Sequence, residues 1–389
     1  MNAAAPAPRL TIVLPLRGRH LFTLRFLWYA DKLRLPYRIL IADGQVNETV
    51  ARHIENSRTF FPNLDIDYVR YPDDTGYPQY FAKMADVMRR VRTPYAMLAD
   101  NDDFLGINGI EQALDFLEAN PDYIAARGHP IAFQAYSGLG APGSGIYGRI
   151  NRLRMTYRSE DVSQPAVFER LRHGGQSLLI YYSVYRTEAL TTIWREDSEI
   201  DFSDLMLHEH YHAMRTLTLG KVRTLPTISY FSQIGTSTSS DPMRDWADHL
   251  LRSHFTVDVH DMVGRVAAAA AAAGADEVKT ADEVRGLIEG HFRDFLWSNY
   301  GLLMQVKRFI RRNWPPLAKF VQTRPRFFVG RERAAMLAKL AAAGASAEGL
   351  RRTRDDLAAV ENALSRQSFR QFAAPFLSVA HADGSRDWF

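Results

Sequence analysis

The 389-residue sequence contains no cysteine. That excludes a disulfide framework, a thiolate metal site and a cysteine nucleophile, and it accords with a reducing cytoplasm. Long apolar runs are also missing, since no stretch reaches the roughly 20 apolar residues that cross a bilayer. Leu10 to Leu16 is too short for a span or for the core of a secretory leader, and Met1 to Arg9 has no early basic region. An extended or disordered N-terminus through residue 9 and a cytoplasmic location are therefore expected. Charge of one sign is scarce too: 48 basic against 44 acidic residues leave a formal +4. So small an excess gives no argument for nucleic acid as a partner. Internal repeats are absent.

What is present is a regular alternation. Short β-branched runs at Leu10–Pro15, Tyr37–Ala42, Ile66–Tyr71 and Tyr95–Ala99 read as buried strands. Helical patterns at Leu21–Leu33, Glu48–Thr59 and Gln79–Arg92 separate them. Strand and helix in repetition imply an α/β fold with a Rossmann-like, mostly parallel sheet flanked by helices. From His129 to about Gly175 the pattern loosens, and it resumes with an apparent strand at Ser177–Tyr185 and a helix over Ser203–Leu219, stopped by Gly220. After Asp241 long helical segments dominate. The expected division is a sheet domain over 10–241 and an α-helical C-terminal extension over 242–389, as befits a chain too long for one core.

In parallel sheets ligands bind beyond the carboxyl ends of the strands. Three strand ends carry polar residues: Arg17-Gly18-Arg19, Asp43-Gly44-Gln45 and Asp100-Asn101-Asp102-Asp103. Three carboxylates in four positions repel one another unless a cation lies among them. Hard oxygen ligands suit Mg²⁺ or Mn²⁺, which also bind diphosphate oxygens. The competing reading is that one of the aspartates caps the helix expected near Ile107.

In this order, the Ile12–Pro15 strand, Ile39–Gly44 and Tyr95–Asp103 resemble the signatures of GT-A fold glycosyltransferases, family 2 in particular. The resemblance spans about Leu10 to Leu225. It implies a nucleotide-sugar donor, a divalent cation and, for family 2, inversion at the anomeric carbon. Asp43 would contact the base, Asp100 the ribose, and Asp102 the metal and diphosphate, while Lys83 is a looser match to a basic donor-binding residue. Family 2 enzymes usually carry Glu-Asp eleven residues before a Gly. Here His208-Glu209 precedes Gly220 at that spacing, so Glu209 takes the base position. Asp204 and Asp201, near the helix start, are its rivals, with helix capping as their alternative role. The expected donor-binding set is Pro15, Leu16, Arg17, Asp43, Lys83, Asp100 and Asn101. Asp100, Asp102 and His212 are the expected metal contacts, and Glu209 and Asp204 the expected catalytic residues.

His208-Glu209-His210-Tyr211-His212 also satisfies the HExxH zinc pattern, but Arg215 and Thr218 stand where the extended form needs Gly and His. The loop Gly235–Asp241 is a candidate flap. Tyr136, Tyr147, Arg149, Arg152, Arg154 and Tyr157 form a candidate acceptor side for a carbohydrate, lipid-linked or protein acceptor. The basic and aromatic stretch 307–328 could contact an anionic membrane surface, or pack as an amphipathic helix. A nucleotidyltransferase or an inactive sugar-nucleotide-binding protein are the remaining alternatives. The former would want a Gly-rich basic loop longer than Arg17-Gly18-Arg19.

Overall fold

The structure, a computed structural model, describes residues 8–137, 145–155, 159–202, 205–236, 254–300 and 326–383, together with 306, 309 and 312–314. Strands β1 (Leu10–Leu16), β2 (Arg38–Asp43), β3 (Asp65–Arg70) and β4 (Tyr95–Leu98) alternate with helices α1 (His20–Lys32), α2 (Glu48–Glu55), α3 (Ser57–Phe60) and α4 (Tyr77–Arg90). Next come β5 (Phe104–Leu105), α5 (Ile107–Ala119), β6 (Tyr123–Tyr136) and β7 (Arg149–Arg154). Helix α6 (Val167–Gly174), a 3₁₀ turn (Leu178–Tyr182), β8 (Val184–Arg186), α7 (Thr187–Asp197), α8 (Leu205–Leu219) and β9 (Lys221–Gln233) complete the sheet region. The C-terminal helices are α9 (Phe255–Ala272), α10 (Glu277–Tyr300), α11 (Arg326–Ala342), α12 (Ala347–Ala363) and α13 (Arg366–Asp383).

The sheet runs β3-β2-β1-β4-β8-β6-β9-β5, with β7 paired to β6. It is mixed. Strands β1 to β4 are mutually parallel, as are β6 and β9, while β8, β5 and β7 pair antiparallel. The expected α/β layout with C-terminal helices is present. Alternation along the strands sorts side chains to two faces. Val13, Leu40, Ala42, Ala96 and Leu98 join a core with α4, α7, α8, α9 and α10. Ile12, Leu14, Ile39, Ile41 and Met97 join another with α1, α5 and α13. Strands covered on both faces are apolar throughout, which is why their runs stood out in the sequence. Among the described residues, no helix is long and apolar enough to cross a membrane.

Two long strands differ from the sequence reading. β6 and β9 pair in parallel over most of their length, but the register shifts at Gly128, His129 and Pro130. Those residues, and Pro226 in β9, look like turn signals in sequence yet are irregularities inside a strand. Ser177–Tyr185 likewise differs: a 3₁₀ turn occupies 178–182 and only Val184–Arg186 is extended.

Helix α5 follows the acidic segment after the two residues of β5, and its N-cap, Gly106, offers no side chain. Carbon at the Cβ position of Gly106 or Gly109 would lie 2.3 or 2.2 Å from the carbonyl oxygen of Ile228, so glycine lets α5 lie against β9. The carboxyl of Asp356, on α12 and far away in sequence, instead faces the backbone N–H groups of Ile107 and Asn108 at the start of α5. Burial pushes the Asp356 carboxyl up to about 7, with those N–H groups opposing. A folded-state value above the unfolded one means the native state holds a proton that the unfolded chain has released. Between about pH 4 and pH 7, stability from this group therefore falls as pH rises. We expect Asp356→Asn, which keeps the shape and cannot titrate, to flatten that slope in urea titrations at several pH values. An unchanged slope would refute the assignment.

Candidate functional site

Because β1, β2 and β4 are parallel, their carboxyl ends open on one edge, and the chain leaving each contributes to one cavity of about 860 Å³. β1 delivers Pro15, Leu16, Arg17 and Arg19, β2 delivers Gln45, and β4 delivers Asp100 to Asp103. The turn after β3 adds Asp74 and Gly76, and α4 adds Tyr77, Tyr80, Phe81 and Lys83. The wall is completed by Tyr181 and Tyr182, by Trp194 and Asp197 of α7, by His208 and Glu209 of α8, and by the end of β9.

One carboxylate oxygen from each of Asp100, Asp102 and Asp103 lies within 4.8 Å of the others, the only cluster of at least three potential ligand residues among the described residues. Each aspartate is held differently. Asp100 Oδ2 accepts the Tyr182 hydroxyl at 2.5 Å. Asp102 Oδ2 accepts Arg19 Nη2 at 2.6 Å and the Thr236 hydroxyl at 2.7 Å. Asp103 Oδ1 accepts the backbone N–H of Gln233 at 2.6 Å, which ties the acidic segment to the end of β9. Burial, then repulsion from Asp102, lifts the Asp100 carboxyl to about 6. The same two effects push Asp103 well above the usual carboxylate range. Negative charge is thus in excess here, and the donors are hard oxygens, a set that fits a divalent cation such as Mg²⁺ or Mn²⁺.

Arg25 fixes the backbone of this segment. It is fully buried, lies over the Phe22 and Phe104 rings, and donates to the Asp102 carbonyl at 2.5 Å and to the carbonyls of Gly145 and Ile146. On the donor side Lys83 pairs with Asp74 at 2.5 Å, both nearly inaccessible, and also donates to the Leu16 carbonyl at 3.3 Å. Burial lowers the Lys83 pKa, with Asp74 opposing. Asp74 packs over Gly44, where a Cβ would come 2.1 Å from its Oδ2.

The far wall is aromatic. Tyr80 and Tyr181 bring their hydroxyls within 3.3 Å, and Tyr181 and Trp194 meet edge to face. His208 stacks on Phe81 at 3.7 Å, and its Nδ1 lies 3.3 Å from Asp197 Oδ1. The other Asp197 oxygen is 3.6 Å from Nδ1 of His212. The two histidines of the HExxH pattern therefore share a buried carboxylate, whose pKa burial raises to about 6.

Of the residues expected from sequence, Pro15, Leu16, Arg17, Lys83, Asp100, Asn101, Asp102 and Glu209 come together on the cavity wall. Asp43 lies behind it: its carboxylate accepts the Tyr68 hydroxyl at 2.6 Å and the Gln45 N–H at 3.0 Å, and Gln45 is what faces the cavity. His212 is fully buried against Tyr181, Tyr185 and Trp194 and stands apart from the aspartate cluster. Asp204 lies outside the described residues and Asp201 is exposed. Of the candidate flap only Gly235 and Thr236 are described, and most of the stretch 307–328 lies outside the described residues. Tyr136, Arg149, Arg152 and Arg154 belong to β6 and β7, and Tyr147 packs on Phe369, none of them on the cavity wall; Tyr157 is outside the described residues. Sequence reading passed over Asp74, Tyr181, Tyr182 and Asp197 as site residues. No local motif marks them, and they join the site only through packing.

No protein-family model matches the chain, and no curated protein matches it. Among solved structures, Staphylococcus aureus TarS residues 1–349 is similar over 93% of this chain and 91% of its own, at 13% identity and a TM-score of 0.45. The same protein in complex with UDP-GlcNAc gives 14% identity, coverage of 93% and 92%, and a TM-score of 0.45. The mannosyltransferase PcManGT from Pyrobaculum calidifontis, in complex with GDP-Man and Mn²⁺, gives 13% identity, coverage of 79% and 88%, and a TM-score of 0.39. At such scores the cavity residues, not the likeness, carry a functional conclusion.

Proposed function

We propose that the chain is a glycosyltransferase that moves a sugar from a nucleotide-sugar donor to an acceptor hydroxyl, with residues 10–241 as its catalytic unit. The observation that carries this reading is the aspartate cluster at the sheet edge, in one cavity with Arg17, Arg19, Lys83 and Glu209. Asp102 and Asp100 would hold a divalent cation, which when bound neutralises charge on the departing nucleoside diphosphate. Arg17 and Arg19 line the same cavity, where the diphosphate needs positive charge, and Gln45, backed by Asp43, faces the base. TarS with UDP-GlcNAc and PcManGT with GDP-Man suggest UDP- and GDP-sugars as first probes.

Glu209 is the proposed general base. It accepts the proton of the acceptor hydroxyl as that oxygen bonds to the anomeric carbon. The bond from that carbon to the diphosphate oxygen breaks, and its electron pair leaves with the nucleoside diphosphate. Direct displacement inverts the centre. Glu209→Gln is expected to lower kcat by about 10²–10⁴-fold with little change in donor KM, since the loss is confined to proton transfer. A kcat within threefold of wild type, roughly the scatter of such assays, would remove Glu209 from the role.

A thermal-shift panel of UDP-, GDP-, CMP- and dTDP-sugars, each with and without Mn²⁺ or Mg²⁺, tests the whole reading. A ligand that binds only the folded state raises Tm by mass action. The expected result is one nucleotide class that stabilises in a metal-dependent way and is slowly hydrolysed. No stabilisation by any member would count against the proposal.

A further inference from the structure

We propose that Arg19 is the resident counter-ion of Asp102, that a divalent cation displaces it, and that the freed guanidinium then holds the donor diphosphate. This rests on the glycosyltransferase reading above and adds to it how the cation and the donor are coupled.

Three observations converge on Arg19. Its Nη2 donates to Asp102 Oδ2 at 2.6 Å, and Asp102 belongs to the aspartate cluster. Arg19 and a cation cannot both take that oxygen, since Thr236 already donates to it at 2.7 Å. Its side chain keeps a fifth of its surface accessible, whereas that of Asp102 keeps 6%, so the arginine is the partner with somewhere to go. Its guanidinium also lies 4.5 Å from the centre of the Phe22 ring, a contact that uses the face of the group and none of its N–H donors.

The backbone is equally particular. Arg19 has φ 58° and ψ 41°, a left-handed conformation that is unfavourable for a residue with a Cβ. It follows Gly18 at φ 67° and forms the N-cap of α1, with no side-chain cap. The sequence tolerates that strain where glycine would relieve it, and in return a guanidinium stands at the helix N-terminus on the cavity wall. An anion in the cavity would meet there a fork of donors suited to phosphate oxygens. Arg25, six residues further along, is the contrasting case: fully buried and committed to carbonyl oxygens, it holds the segment still while Arg19 moves.

The test uses the full-length chain, Mn²⁺ alone, and then UDP and GDP in turn at saturating Mn²⁺. Arg19→Gln should bind Mn²⁺ tighter than wild type by about fivefold, read as free Mn²⁺ by electron paramagnetic resonance, because a competitor is gone. It should bind the preferred nucleoside diphosphate about tenfold more weakly by calorimetry. Arg19→Gly, which relieves the backbone, should behave the same way and guards against a folding defect in the glutamine variant. Arg17→Gln removes an equal charge from the same cavity, but Arg17 donates to the Thr75 carbonyl and not to the aspartates, so it should tighten Mn²⁺ less. Equal tightening by both would reduce the effect to overall charge and overturn the proposal. So would unchanged Mn²⁺ or nucleotide affinity in the Arg19 variants while the wild type binds Mn²⁺ through Asp102. No Mn²⁺ binding by any of the proteins overturns this proposal and the glycosyltransferase reading together.

Discussion

Asp102→Asn should abolish metal-dependent turnover of the nucleotide sugar, a loss of about 10²–10³-fold or more, while leaving the fold intact. Asparagine keeps the shape and one oxygen that can still accept from Arg19 and Thr236, so the local hydrogen bonds survive. What disappears is the negative charge that would balance a cation. Removing that charge also lessens the repulsion that helps raise Asp100 and Asp103. The metal-free variant should therefore melt at or slightly above the wild-type temperature. Adding Mn²⁺ should no longer raise its Tm. Full activity in the variant, or an undiminished Mn²⁺ shift, would refute the assigned role.

The second large effect concerns the buried pair beneath the donor side. Lys83 and Asp74 are each nearly inaccessible and meet at 2.5 Å. Removing one partner leaves an uncompensated charge in a dry site, so Asp74→Ala or Lys83→Ala should each destabilise by about 3–5 kcal/mol in urea unfolding. The double variant should lose far less than the sum, because neither charge remains. Lys83→Met with Asp74→Asn, which keeps volume, should come closest to wild type. Both residues also line the cavity, so the double variant should still lose donor affinity, read by the same thermal-shift panel. Additive losses would show that the two side chains act separately.

Legibility differed from one part of the chain to another, for reasons that can be named. β1, β2 and β4 were plain because strands buried on both faces must be continuously apolar. Helix α1 starts one residue and α4 two residues before the positions read from the pattern, a normal error for a helix end. β6 and β9 were not legible, since Gly128, His129, Pro130 and Pro226 break the pattern that would have announced them. Their pairing spans about a hundred residues, and no local rule records it.

The candidate site divides in the same way. Local sequence alone determined that a strand ends in Asp100, Asn101, Asp102 and Asp103, that Arg17 and Arg19 follow another, and that Glu209 lies on a helix. A strand end is set by side chains a few residues apart, so its contents can be read in order. Only the tertiary structure decided that Arg19 meets Asp102 across 83 residues, that Asp356 faces the start of α5, that Asp43 sits behind Gln45, and that His208 and His212 share Asp197. Those pairings depend on which elements pack together. Burial strengthens each of them by removing water, and burial belongs to the folded chain as a whole.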